Sequence, residues 1–393
     1  MKLALPRITF WRVIFAAIML SGVAATYVRI TSGLAGSTNL TDAFPWGIWI
    51  GFDILCGVGL AAGGFTLAAI VHIFNLKEYK PVVRPAILTA FLGYLLVVVA
   101  LMFDLGRPWR IWHPLIMWNP RSVMFEVGWC VTLYTTVLFL EFFPLVLERF
   151  KLAKAHKLLK GVMPLIIIAG VILSTLHQSS LGSLYLIMKG KLHPLWYSPL
   201  LPLMFYISAI AVGLGMTIFE SWHSARAFGR QLEWHLIQKL SRMLAVVLAL
   251  YVVMRVFDIS QRHAWSYLER PGWEAKLFVM EMVLFIVPML LLFREKTRQN
   301  PTGLYLTVAM FLLGFVTHRL NVSLTGMEAS SGVIYIPKWT EIAVTFSIIA
   351  GGFAIFRFAA KYLPVFESAV SEAPDANGGG GRTERVAVAA TGD

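Results

Sequence analysis

The sequence predicts an all-α, polytopic integral membrane protein of about ten transmembrane helices in two helical bundles, with both termini cytoplasmic. Three observations carry this reading. Hydrophobic residues make up 58% of the 393-residue chain and charged residues only 14%, against about 45–50% and about 25% in soluble proteins. The apolar residues form long runs along nearly the whole chain rather than one anchor. Finally, Lys and Arg concentrate in alternate connectors, as the positive-inside rule requires of a multi-pass protein.

The spans fall at residues 10–30, 46–74, 85–103, 122–147, 161–176, 199–219, 243–257, 273–293, 304–316 and 340–358. The first begins behind Lys2, Arg7 and Arg12 and reads as an uncleaved helix rather than a signal peptide, since nine more spans follow. The second exceeds the roughly 20 residues a bilayer needs, so tilt is expected. The third to sixth have ordinary lengths, and the fifth is expected to end at the polar run Ser174-Thr-Leu-His-Gln-Ser-Ser-Leu-Gly182. The seventh and ninth read as short. No pair of corresponding interrupted helices marks two transporter-like halves. A membrane domain over 1–365 is expected, followed by a Gly-rich disordered tail over 366–393.

The net charge is +13. Divided by side, it explains orientation rather than nucleic-acid binding. Lys77, Lys80 and Arg84, the run Arg149 to Lys160, Arg226 to Arg242, and Arg294 to Arg298 all fall on one side. That side is read as cytoplasmic. The opposite connectors, Asp104-Leu-Gly-Arg-Pro-Trp-Arg-Ile-Trp-His-Pro114 and His193-Pro-Leu-Trp-Tyr197, are rich in Trp, His and Pro. They suit both a lipid interface and a docked partner. Two cysteines, Cys56 and Cys130, exclude a disulfide framework, and no Cys-x-x-Cys occurs for an iron–sulfur cluster or a c-type haem.

Ionisable groups inside spans are costly and mark candidate function. Asp53 lies about 10 Å below the outer surface, in a Gly-rich helix. Glu126 and His177 also fall in the outer half of their spans. Tyr94 sits near mid-membrane, while Glu220 and Glu141 lie toward the cytoplasm. Asp104 with Arg107, and Arg255 with Asp258, read as supporting pairs. Together Asp53, Tyr94, Glu126, His177 and Glu220 suit a quinone, which needs an apolar slot, partners for two oxygens and a proton source. A b-type haem would need two facing histidines. No span carries such a pair, and a mixed pair of His177 with His318 or His113 is the remaining option. A secondary transporter or a passive anchor without redox work stays open on the same carboxylates.

Longer motifs narrow the choice. The runs Phe44-Pro-Trp-Gly-Ile-Trp-Ile-Gly-Phe-Asp53, Val83-Arg-Pro-Ala86, Asp104-Leu-Gly-Arg107, Ser122-Val-Met-Phe-Glu126, Leu176-His-Gln-Ser-Ser-Leu-Gly-Ser183, His193-Pro-Leu-Trp196, Ile218-Phe-Glu220 and Trp339-Thr-Glu341 resemble the polysulfide-reductase membrane-subunit (NrfD-type) family. Within it, they look like the branch serving NiFe hydrogenase 2, known as its b-type cytochrome subunit. The resemblance implies a subunit without metal, haem or iron–sulfur cluster. It would take electrons from a periplasmic ferredoxin-like iron–sulfur subunit, beside hydrogenase small and large subunits, and pass them to menaquinone or ubiquinone with proton transfer. It implies proton-transfer or quinone roles for Tyr94, Glu126, His177 and Glu220. Asp53 joins the quinone site from its own position in a matching motif.

Overall fold

The computed structural model describes residues 9–269 and 272–366. Ten helices in it are long and apolar enough to cross a membrane: α1 (Phe10–Ser37), α2 (Trp49–Ile73), α3 (Lys77–Asp104), α4 (Val123–Arg149), α5 (Ala153–Leu186), α6 (Leu201–Ala227), α7 (Trp234–Gln261), α8 (Trp273–Phe293), α9 (Pro301–Ser331) and α10 (Trp339–Tyr362). The chain is therefore an all-α, multi-pass membrane protein. Successive connectors lie at opposite ends of the helices, so one end is basic and the other is rich in Trp.

Burial follows composition. The apolar windows of α2 and α6 are 78% and 72% buried, against 17% for α1, so α2 and α6 form the centre. They can approach because small residues line their contact. A Cβ on Gly213 would stand 2.8 Å from both the Ala62 carbonyl oxygen and Thr66 Oγ1. Gly213→Val should therefore force the two central helices apart and lower both the yield and the melting temperature of purified protein, by several degrees. α4 packs along α5, α3 lies against both α2 and α4, and α6 meets α7 and α9. On the flank α1 pairs with α10, which also packs on α3.

Most helices run longer than the sequence suggests, and the largest differences are at α5, α7 and α9. The polar run of α5 is inside the helix, because its hydroxyls bond back to carbonyls one turn earlier. Thr175 bonds to Val171, Ser179 to Thr175 and Ser180 to Leu176. α9 continues through Arg319 and Asn321 because both find internal partners: Arg319 Nη2 donates to Ser208 Oγ at 2.9 Å and Asn321 Nδ2 to a carboxylate of α8 at 2.9 Å. α7 carries Lys239 and Arg242 in its first turns, at the basic end, where Lys239 pairs with Glu78.

The helical path is also less regular than expected. Wide, π-helical turns occupy Trp49–Cys56 and Ala69–Ile73 of α2 and Asn321–Thr325 of α9. Backbone hydrogen bonds continue across them, so neither helix splits into the free half-helices of a transporter. Such turns are frequent at functional sites.

Val365 is fully buried, and Phe366 packs on Phe228 with the Arg230 guanidinium 4.3 Å from its ring. Packing thus extends one residue past the expected boundary, through Phe366. The Gly-rich stretch expected to be disordered lies outside the described residues.

Candidate functional site

Two features dominate the interior around α2 to α5. The first is a cavity of about 970 Å³. Its walls come from Trp46, Ile50 and Ile54, from α3 between Phe91 and Leu101, from α4 between Ser122 and Phe139, and from Leu181, Leu184 and Tyr185 of α5. Most of the lining is apolar. Leu95, Met124 and Phe139 on its walls are exposed on the flank of the helices, so it opens sideways where lipid would lie. At its Trp-rich end it is lined by Arg107, Arg110, His113 and Asn119, which form a mouth there.

The second feature is a cluster of buried polar rings on the same helices, within a turn of the cavity-lining residues. The Tyr94 and His177 rings are 5.6 Å apart, and Tyr94 meets the Tyr134 ring edge-on at 4.7 Å. All three are essentially inaccessible. No protein group meets the two phenol oxygens or either His177 nitrogen in good hydrogen-bond geometry, although Gln178 stands beside the Tyr94 phenol and Ser174 beside that of Tyr134. Gln178 spends its amide nitrogen on the Val58 carbonyl, at 3.2 Å. Buried polar groups left unpaired cost about 1–3 kcal/mol each and call for an explanation. Proton exchange is one, since the imidazole and, to a lesser degree, the phenols can each give and take a proton. Deeper along α4, Glu141 is buried against Gly170.

The other expected site residues are placed as follows. Glu126 is exposed at the start of α4 and accepts a short hydrogen bond from Ser180 of α5. Glu220 of α6 lines a small cavity of about 50 Å³ at the basic end, with Pro85, Thr217 and Ser224. That volume has room for a few waters. Asp53 is buried but turned away from the rings: Thr345 of α10 donates to its Oδ2 at 2.7 Å.

Two expected ion pairs do not form. Arg29 of α1 reaches the end of α3, where its Nε and Nη2 cap the carbonyls of Phe103 and Leu105 at 2.8 Å each. Asp104 lies beside Arg29, whereas Arg107 turns to the cavity mouth. Asp258 pairs with Arg262, at 2.6 Å, and Ser198 rather than with Arg255.

A separate ionic cluster lies between α7, α8 and α9. The Glu281 carboxylate accepts from Trp196 Nε1 at 2.8 Å, from Asn321 Nδ2 at 2.9 Å and bonds His318 Nδ1 at 2.8 Å, with Arg255 Nη2 at 3.9 Å. Trp196 is therefore fully buried and offers no docking surface. The connector after α3 exposes Trp109, Trp112 and Trp118 at that end, where Trp265, Trp273 and Trp339 of other elements are exposed as well.

Among the described residues no group of three or more His, Cys, Asp and Glu could hold a metal. The large cavity carries a single histidine, His113. His177 packs against Tyr94, and His318 is bonded to Glu281 and packed among Phe205, Tyr251 and Phe285. The residues present therefore do not fit a bis-histidine haem.

Residues 36–329 match the family model for polysulphide reductase, NrfD. The chain belongs to the NrfD family. It is 40% identical over 364 residues to a protein of Nitratidesulfovibrio vulgaris, covering 90% of this chain and 93% of that one. It is 35% identical to the probable Ni/Fe-hydrogenase 2 b-type cytochrome subunit of Escherichia coli, covering 86% and 87%. At 28% identity it matches the integral membrane subunit of a menaquinone reductase of Nitratidesulfovibrio vulgaris, over 93% of both chains. By their names, two of these relatives are membrane subunits of oxidoreductases, one of a hydrogenase and one of a menaquinone reductase.

Sequence reasoning missed Tyr134, Ser174, Gln178 and Tyr185 as members of the polar and cavity-lining set. Their signal was available only in part: Ser174 and Gln178 stand in the polar run of α5, but an isolated tyrosine in an apolar helix is unremarkable.

Proposed function

We propose that this chain is the quinone-reactive membrane subunit of a respiratory oxidoreductase complex, with hydrogen uptake as the favoured activity of that complex. A ferredoxin-like iron–sulfur subunit docks on the aromatic connector at the periplasmic face and delivers electrons. A membrane quinone enters sideways between α3 and α4. The arrangement into two helical bundles, with cytoplasmic termini, belongs to this reading, as does a cytoplasmic proton entry at Glu220.

The observation that carries the proposal is a membrane-open apolar cavity with buried Tyr94, Tyr134 and unpartnered His177 behind its wall. A quinone needs this combination, because its ring and tail are apolar while its two oxygens take up protons on reduction. Glu126, exposed and bonded to Ser180 of the same α5 segment, connects that layer to the aqueous side. Asp53 is held by Thr345 at a distance from the rings and acts as a neighbouring proton group.

The cavity itself can be tested. Gly128 lines it, and a Cβ there would meet only Pro114, at an ordinary 3.7 Å. Gly128→Phe should narrow the cavity beside Pro114 without disturbing the fold. In the purified complex the quinone KM should rise about tenfold or more while donor oxidation with an artificial dye is unchanged. A passive anchor predicts no change in either measurement, and that result would refute the proposal.

A further inference from the structure

The mouth of the cavity has a charge that a neutral quinone does not use. Arg107 and Arg110 both line it, together with His113. The two arginines are exposed, and neither has an ion-pair partner among the described residues. They follow directly on the end of α3 at Asp104, which places them at headgroup level. Exposed Trp109, Trp112 and Trp118 flank them, as aromatic side chains do at a membrane interface. Below the mouth the α3–α4 flank of the cavity is apolar, with Val98, Leu101, Val127 and Val131 on its walls. From Ser122 to Phe139 it descends about 25 Å at the helical rise of ~1.5 Å per residue. One leaflet contributes about half of the ~30 Å hydrocarbon core, so an acyl chain fits this flank along its full length.

We propose that Arg107 and Arg110 form a binding site for an anionic phospholipid, with the headgroup phosphate on the two guanidiniums and one acyl chain in the α3–α4 groove. Arginine suits this task, because its planar fork binds phosphate oxygens in pairs. Orientation favours a lipid over a protein partner. Both arginines line the same cavity as Leu95, Met124 and Phe139, which are exposed on the flank of the helices, so the cavity runs from the arginines to the lipid-facing side. The acyl chain, spanning about half of the ~30 Å core, leaves the deeper flank near Phe91 and Phe139 open for quinone entry, and it leaves the inner wall of Trp46, Leu181 and Tyr185 to the substrate.

The test uses the complex purified from nanodiscs containing equal phosphatidylglycerol and phosphatidylethanolamine, with native mass spectrometry of the lipid retained on this chain. The wild type should retain phosphatidylglycerol selectively. Arg107→Gln/Arg110→Gln should lower that retention roughly tenfold, from two lost cationic contacts, and Arg107→Lys/Arg110→Lys should restore part of it. Equal retention by the wild type and the Gln variant overturns the proposal. So does a Gln variant that keeps its phosphatidylglycerol but loses the iron–sulfur subunit, which would assign the arginines to protein docking. None of these readouts depends on quinone reduction, so the proposed function can fail while the lipid site stands, and the reverse.

Discussion

Glu281→Leu should destabilise the protein more than any other single substitution in the α7–α9 region. Among the described residues the carboxylate is the one acidic group bonded or ion-paired to Arg255, His318, Asn321 and Trp196, all of them buried. Arg319 nearby holds Ser208 through one nitrogen and stacks its guanidinium 3.5 Å from the Phe205 ring centre, with its Nε and Nη1 unpartnered. Leucine keeps most of the volume but strips the cluster of its negative charge. Breaking a buried pair in this way costs about 3–5 kcal/mol, because the surviving cation stays buried without compensation. The indole N–H of Trp196 and the amide of Asn321 lose their acceptor as well, at about 1–3 kcal/mol each. In detergent the variant should melt well below wild type or fail to accumulate. Glu281→Gln, which keeps an acceptor oxygen without the charge, should fall between. If the Leu variant melts with wild type, the carboxylate is not what holds α8 against α9.

That cluster also shows how far the sequence carries. Each of its members, Arg255, Glu281, Arg319 and Asn321, stands out individually as a polar group in an apolar helix. Their assembly across α7, α8 and α9 depends on helix rotation, which spacing alone does not supply. The same limit applies at the candidate site. Tyr94 and His177 are selected by residue type and motif, and the structure brings them together. Tyr134 completes the contact from a third helix and carries no local mark. Asp53 is read from its depth and motif, and neither fixes its direction. It lies in the wide π-helical stretch Trp49–Cys56, where the period departs from 3.6 residues, and its carboxylate takes a hydrogen bond from Thr345 of α10. Span positions and the α4 start, with Ser122 capping the Phe125 N–H, follow directly from hydropathy and capping chemistry. The true ends of α5, α7 and α9 do not, because polar residues there are satisfied internally and hydropathy counts them as exits from the membrane.

His177→Leu should abolish quinone reduction by the complex while leaving donor oxidation with an artificial dye intact. The imidazole is fully buried, packs on Tyr94 and has no hydrogen-bond partner on either nitrogen. Leucine therefore removes no bond that supports the fold and fills a similar apolar space, so the melting temperature should hold or rise. What is lost is the one group beside Tyr94 able to carry a proton on one nitrogen while accepting on the other. Positioned proton transfer contributes about 10²–10⁴-fold to rate, so the rate of quinone reduction should fall by at least about a hundredfold. Glu126→Gln should lower it comparably by cutting the connection from the exposed carboxylate through Ser180 of the same helix. The two changes should not multiply, because they interrupt one route, and the double variant should resemble either single one. A structural role for His177 predicts the opposite pattern, with melting temperature and quinone reduction falling together. Quinone reduction surviving both substitutions would remove His177 and Glu126 from the proton route.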